Sequence, residues 1–370
     1  MEYLFYFIVF NISIYNIGLL WFILGLVKSK KNNFNENNLD VSIIVCVKNG
    51  ELSLPFILND LSSQSYDSNI EFVIVDNDSS DKSKKIIKDF STKDQRFKYI
   101  HSSLGSEKLK YKKRALDAGI KSSKYDILLF TDADCRVSKN WASSMINNFN
   151  NNIDYVIGYS KVATGEKFIS KFQQIDFMML MFSALGSTSM GRPVAATGQN
   201  QAYKKSLYKT VGGFNKITNL IQGDDSIFLN ICRNFASANV AFSINENSYV
   251  KSKVHDKWED FLSQRSRWAG DANIMWKFNK PFYLFILVTF IVNLGLLFSP
   301  LFYFGFPGLF IFTIISKLLL ELLIYFFGTT ILHEKFNFIL FIKWFFVQTP
   351  YIVIMGFLSF FQKNIKWREK

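Results

Sequence analysis

Asp132 and Asp134 stand one residue apart at the end of the apolar run Tyr125-Asp126-Ile127-Leu128-Leu129-Phe130. That run reads as a short buried strand, and side chains alternate along extended backbone. Both carboxylates can therefore point the same way where the chain leaves the sheet. Two hard oxygen ligands at a strand end suit a divalent cation that also binds phosphate oxygens. A second acidic pair follows in Gly223-Asp224-Asp225, ahead of a stretch from Ser226 to Cys232 with helical spacing. The helix macrodipole favours one acid in a first turn. Two adjacent acids after a glycine are a better candidate for a general base.

Other polar clusters fall between and around these. Asp76 directly follows the buried run Glu71 to Val75 and can accept hydrogen bonds from a nucleobase or ribose, while Ser80 or Asp81 caps the next helix. Lys112 or Lys113 can pair with phosphate, or lie on a solvated helix face. Gly198, inside Thr197-Gly198-Gln199-Asn200, permits close backbone approach to a ligand; Gly212-Gly213-Phe214 marks a turn. A helix starting near Trp258 carries Gln264-Arg265-Ser266-Arg267-Trp268. Arg267 can bind a diphosphate with forked geometry. Trp268 offers an apolar face for a sugar ring. The same residues also suit a helix lying at a membrane surface.

The elements that must position these groups are legible from periodicity. Val41 to Val47, Glu71 to Val75, Lys98 to His101 and Ile127 to Phe130 read as strands, the longer ones buried on both faces. Leu52 to Ser63, Lys82 to Phe90 and Lys112 to Lys121 read as helices between them. Alternating strands and helices imply an α/β domain with a mostly parallel sheet. In such sheets ligands collect beyond the carboxyl ends of the strands. The clusters after Val47, Val75 and Phe130 share that edge.

Aromatic residues make up 17% of the 370 residues, and 40 are Phe. They concentrate in four apolar stretches, 3–27, 281–304, 307–332 and 336–361, each long enough to cross a bilayer. The first lacks a basic n-region and a small-residue cleavage site, so it reads as a retained anchor over 1–27. Lys28, Lys30 and Lys31 follow it, which places the next domain in the cytoplasm by the positive-inside rule. Three cysteines, Cys46, Cys135 and Cys232, sit in or beside apolar runs, as in a reduced compartment without disulfides. The net charge of +13 reflects lysines flanking membrane segments and meeting anionic headgroups; no nucleic-acid-binding signature accompanies it.

Taken together, the clusters resemble the membrane-integrated branch of the family-two glycosyltransferases. The resemblance covers roughly 40–270. It is carried by Val41 to Val45 with Asn49 and Glu51, by Val75 to Asp81, Asp132-Ala133-Asp134, Thr197-Gly198-Gln199-Asn200, Gly223-Asp224-Asp225 and Gln264-x-x-Arg267-Trp268. The last is similar to the signature of cellulose, chitin, hyaluronan and poly-N-acetylglucosamine synthases and of ceramide glucosyltransferase. The resemblance implies a glycosyltransferase-A-type fold inserted between transmembrane helices, and inverting transfer from a nucleotide diphosphate sugar, UDP-linked, to a membrane lipid or growing polysaccharide.

In that reading Asp132 and Asp134 hold Mg2+ or Mn2+. Asn49, Glu51, Asp76, Lys112, Lys113, Asp132 and Arg267 bind the donor. Thr197, Gly198, Gln199, Asn200, Gln264 and Trp268 serve acceptor and diphosphate. Asp225 is the base, beside Asp224, which stands where the synthases usually carry glutamate. The rival reading is an inactive nucleotide-sugar-binding membrane sensor or synthase subunit; an intact Asp225 argues against it.

The expected organisation is an anchor at 1–27, a linker at 28–39, a cytoplasmic glycosyltransferase domain at 40–280 with an interfacial helix near 258–278, membrane or re-entrant helices at 281–362, and a basic tail at 363–370. The setting is an inner membrane. If the last apolar stretch crossed, the tail would lie outside, against the positive-inside rule. Lys343 and Pro350 therefore suggest a re-entrant or interfacial course. Lys317 and Glu321, four apart in the third stretch, can pair on one helix face.

Overall fold

The structure is a computed structural model; it describes residues 1–29, 38–149 and 152–360. Most of the expected linker and the whole basic tail lie outside the described residues. The chain divides into two compact units: 30–163 with 193–253, and 1–29 with 164–192 and 254–370.

The first unit is built on a seven-stranded sheet. Its strands are β1 (Val41–Val47), β2 (Ile70–Asp76), β3 (Phe97–His101), β4 (Ile127–Asp132), β6 (Tyr155–Gly158), β8 (Gln201–Lys204) and β9 (Val240–Ser243), in the order β3-β2-β1-β4-β8-β6-β9. From β3 to β4 all neighbours are parallel; β8 runs antiparallel to both β4 and β6. The crossovers carry α2 (Leu54–Ser62), α3 (Ser83–Lys93) and α4 (Tyr111–Ser122), close to the expected spans. β1 and β2 are almost wholly buried because helices cover both faces, so they read as continuous apolar runs rather than alternating ones. One side of the sheet packs Leu54, Ile57, Leu58 and Leu61 of α2 against Ile43, Val45, Phe72 and Ile74.

A small second sheet joins β5 (Arg136–Val137), β10 (Val250–Ser252) and β7 (Ser160–Val162). The remaining helices of this unit are α5 (Trp141–Ile146), α7 (Lys205–Thr210) and α8 (Ser226–Ala236). The strands after β4 are short, which explains why periodicity alone did not reveal them.

The other unit is helical: α1 (Glu2–Lys28), α6 (Phe168–Ser189), α9 (Trp258–Phe278), α10 (Lys280–Leu297), α11 (Ser299–Phe302), α12 (Pro307–Ile331) and α13 (Phe338–Phe360). Among the described residues, four helices, α1, α10, α12 and most of α13, are long and apolar enough to cross a membrane. α6 groups with them, although its residues fall inside the expected 40–280 domain. It crosses α1 backbone to backbone, since a Cβ on Gly25 would lie 1.9 Å from the Gly186 carbonyl oxygen.

The interruption expected at Lys343 and Pro350 is absent: α13 is one helix of 23 residues with Pro350 inside it. A proline removes a single backbone donor, a loss that neighbouring packed helices tolerate. Lys317 and Glu321 do pair, at 3.0 Å, and Glu321 also accepts hydrogen bonds from Tyr15 of α1 and Gln348 of α13. The carboxylate thereby joins three helices.

Candidate active site

The carboxyl ends of β1, β2 and β4 form one edge, as parallel pairing requires. Register places Val47 opposite Asp76 and Cys46 opposite Asp132. At the β4 end a turn closes with the Cys135 N–H donating to the Asp132 carbonyl at 3.1 Å. Ligand atoms of Asp132, Asp134 and Cys135 lie within 4.8 Å of one another. Burial raises the Asp132 pKa; Lys112 opposes that, while Asp134 and Asp224 add to it. Burial also holds the Cys135 thiol protonated, well above its ordinary range, so it is a poor ligand. The usable donors are the two carboxylates, Asp134 being exposed.

The second acidic pair is brought to the same cluster. Lys112, at the start of α4, lies 2.8 Å from Asp132 and 3.4 Å from Asp224. A Cβ on Gly198 would sit 3.2 Å from the Lys112 Nζ, 3.3 Å from Asp224 Oδ2 and 3.9 Å from Asp225 Oδ2. Asp132 and Asp224 thus flank one ammonium, with Asp134 beside Asp132 and Asp225 next to Asp224. The excess negative charge and the hard oxygen donors fit a divalent cation.

Asp225 caps α8. Its Oδ1 accepts the Ser226 N–H at 2.6 Å, and its Oδ2 accepts the Gly198 N–H at 3.4 Å. Burial, then Asp224, push its pKa up to about 7, against opposing pulls from those amides and Lys112. A carboxyl poised there can exchange a proton near neutral pH. Gly223 has φ +106°, a backbone conformation open to glycine, and this bend turns the two acids into the site. Asp224 is buried; the Gln201 side chain donates to its carbonyl at 3.1 Å. Ser226 locks the loop before Gly198 through its contacts with Ala196.

Several expected ligand residues also hold the structure together. Asn49 and Glu51 accept from the Ser80 and Lys82 backbone amides, at 2.9 and 3.1 Å, and so knit the loop after β1 to the loop after β2. Asp76, only 2% exposed, accepts from the Ser79 amide and from Tyr99. Asp81 accepts the Ser83 N–H at the start of α3, the capping role expected of it.

Lys113 is not brought to the acidic cluster. It is fully buried, and its Nζ donates to the Leu220 and Gln222 carbonyls, which anchors the segment leading to Gly223. A helix turns adjacent residues by about 100°, so Lys112 and Lys113 could not share one partner. Asn200, also fully buried, donates both amide hydrogens to the Tyr159 and Ser248 carbonyls and accepts from Trp141. Thr197 shapes the turn, accepting from the Gln199 amide at 3.3 Å. The Gln199 side-chain oxygen is buried without a hydrogen-bond partner.

Gln264, Arg267 and Trp268 lie in the helical unit, on α9. All three are half-buried. Trp268 does not present both faces to a sugar: the Arg265 guanidinium stands 4.0 Å from its ring centroid. Arg265, 4% exposed, pairs with Asp176 of α6 at 2.9 Å. Sequence reasoning passed over both partners, because an acid in one apolar helix carries no sign of the arginine it meets.

The comparisons with known proteins bear on the family and the fold. Residues 42–212 match the model of Glycosyl transferase family 2. The poly-beta-1,6-N-acetyl-D-glucosamine synthase of Staphylococcus epidermidis is 27% identical over 160 residues, 42% of this chain and 37% of that protein. A probable glycosyltransferase of Sulfolobus acidocaldarius is 26% identical over 286 residues, 73% of this chain and 56% of its own length. The chain thus spans from about a third to just over half the length of these curated relatives. Among solved structures, the mannosyltransferase PcManGT from Pyrobaculum calidifontis, in complex with GDP-Man and Mn2+, superposes with a TM-score of 0.61 at 13% identity, covering 96% of this chain and 99% of that one. That likeness speaks to the fold, a glycosyltransferase-A-type domain accompanied by apolar helices. This chain carries a glycosyl transferase family 2 domain at residues 42–212.

Proposed function

We propose that the protein is an inverting glycosyltransferase that moves a sugar from a nucleotide diphosphate sugar, UDP-linked, to a membrane lipid or growing polysaccharide and forms a β-glycosidic bond. The observation that supports this reading is that Lys112 bridges Asp132 and Asp224, so the Asp132–Asp134 pair and the Asp224–Asp225 pair meet at one sheet edge. Asp132 and Asp134 would hold Mg2+ or Mn2+, which supplies charge neutralisation for the leaving diphosphate. Lys112 pairs with the same diphosphate. Asp225 removes the acceptor hydroxyl proton, a step typically worth about 100- to 10,000-fold in rate. The oxygen attacks the anomeric carbon opposite the diphosphate, so an α-linked donor gives a β-linked product. Asp76 serves the nucleoside end, and Arg267, Gln264 and Trp268 serve diphosphate and acceptor.

The domain organisation belongs to this proposal: an anchor at 1–27, a cytoplasmic catalytic domain at 40–280 and membrane helices after it. The synthase likeness supports a polysaccharide acceptor; a lipid acceptor is the alternative. The test is to incubate membranes with a panel of radiolabelled nucleotide sugars and separate lipid from polymer products. Incorporation that needs a divalent cation and is lost in Asp225→Asn supports the reading. Binding of a nucleotide sugar with no transfer to either fraction would instead support the sensor.

A further inference from the structure

Lys112 occupies an unusual position for a donor ligand. Its Nζ is already engaged, 2.8 Å from Asp132 Oδ1 and 3.4 Å from Asp224 Oδ2, so it bridges the two acidic pairs. The close approach of Gly198 confines it from one side. Yet the side chain is 26% exposed, so the ammonium is not sealed in. Its stem is a flexible four-carbon chain, able to move a compact charge between partners. A divalent cation on Asp132 and Asp134 would meet that ammonium across a shared carboxylate, and like charges at such range repel.

We propose that Lys112 is a resident counter-ion for Asp132. While no donor is bound, it satisfies the carboxylate and disfavours metal loading. When a diphosphate arrives, the ammonium transfers to phosphate and Asp132 is released to the cation. Lys112 lies in the first turn of α4, a helix of 12 residues whose N-terminal amides also favour an anion. Metal and diphosphate then load as a linked pair, each tightening the other by the same factor. This inference rests on the reading of Asp132 and Asp134 as cation ligands.

The test is Mn2+ binding to the purified full-length protein in detergent, followed by the paramagnetic resonance signal of free Mn2+, with no turnover involved. Lys112→Gln and Lys112→Met remove the bridge with two different shapes; Lys110→Gln removes the same charge from an exposed neighbour. Without nucleotide, both Lys112 variants should bind Mn2+ about tenfold more tightly than the parent, the scale of one hydrogen bond between charged groups. Lys110→Gln should stay within about twofold, as a screened surface charge. Adding UDP or GDP should tighten Mn2+ in the parent and add less in the Lys112 variants. Folded Lys112 variants that bind Mn2+ no better than Lys110→Gln, or keep the full nucleotide gain, overturn the inference. Asp134→Asn separates the two levels: if it binds Mn2+ like the parent, the cation assignment itself fails.

Discussion

In the proposed mechanism Asp225 has two roles that a substitution can pull apart. As the α8 cap it needs an oxygen acceptor for the Ser226 N–H, which asparagine supplies while giving up the longer Gly198 contact. As a base it needs to ionise. Asp225→Asn should therefore cut single-turnover transfer by about 100-fold or more while donor affinity by calorimetry stays within a few-fold, the pattern of an interaction made in the transition state. Asp224→Asn should be milder; a dead Asp224→Asn beside an active Asp225→Asn would exchange their roles.

The raised pKa makes a second prediction. A carboxyl whose folded pKa is about 7, against 3.8 ordinarily, resists ionisation in the fold. Its contribution to stability is fully present below the unfolded pKa and declines as pH rises to about 7. The Asn variant escapes that decline, so it should melt several degrees above the parent at pH 8, with the gap closing toward pH 4. In the parent, kcat/KM should fall on the acid side with a midpoint near that same pKa, unless bound cation shifts it down.

At the scale of elements, the site is a set of loop ends held by backbone geometry. β4 and its closing turn deliver Asp132 and Asp134. The bend at Gly223 delivers Asp224 and Asp225 to the start of α8. An alanine there would face a left-handed φ and place its Cβ 3.1 Å from Ile227. Gly223→Ala should cost about 1–3 kcal/mol in stability, read by denaturant unfolding, and more in activity, because the strain relaxes by moving the acids.

α9 is tied to α6 by the buried pair Arg265–Asp176. Burial raises the Asp176 pKa and Arg265 pulls it back, though not to the ordinary value. Breaking such a pair strands a charge. Asp176→Asn should destabilise by about 3–5 kcal/mol, seen as a lower melting point in detergent, whereas the apolar double variant Asp176→Leu with Arg265→Met should recover much of it. A double variant no better than the single one would assign the contact to packing rather than charge.

For the whole molecule, the apolar helices and the basic flank of α1 bear on which side of the membrane the acidic cluster faces. If the 40–280 domain lies in the cytoplasm, as proposed, an exposed reporter such as Lys85→Cys should resist membrane-impermeant thiol reagents in intact cells and react after lysis, in a background lacking Cys46, Cys135 and Cys232. Labelling of intact cells would reverse the orientation and deprive the site of cytoplasmic nucleotide sugars. Burial pushes the pKa values of all three native thiols upward, so they are slow competitors in any case.

What the sequence alone determined was local. Continuous apolar runs marked β1, β2 and β4, polar residues at their ends marked the edge where the acidic cluster forms, and long Phe-rich stretches marked the helices long and apolar enough to cross a membrane, because each signal lies within one element. The two acidic pairs were legible for the same reason. Their meeting across Lys112 was not, since residues 112, 132 and 224 come together only through the β4–β8 pairing and the packing of α4 on the sheet. Nor could spacing show that Lys113 and Asn200 spend their polar atoms on backbone, or that Arg265 stacks on Trp268 and pairs with Asp176. Those outcomes depend on which partner each buried polar group finds, and burial demands that it find one.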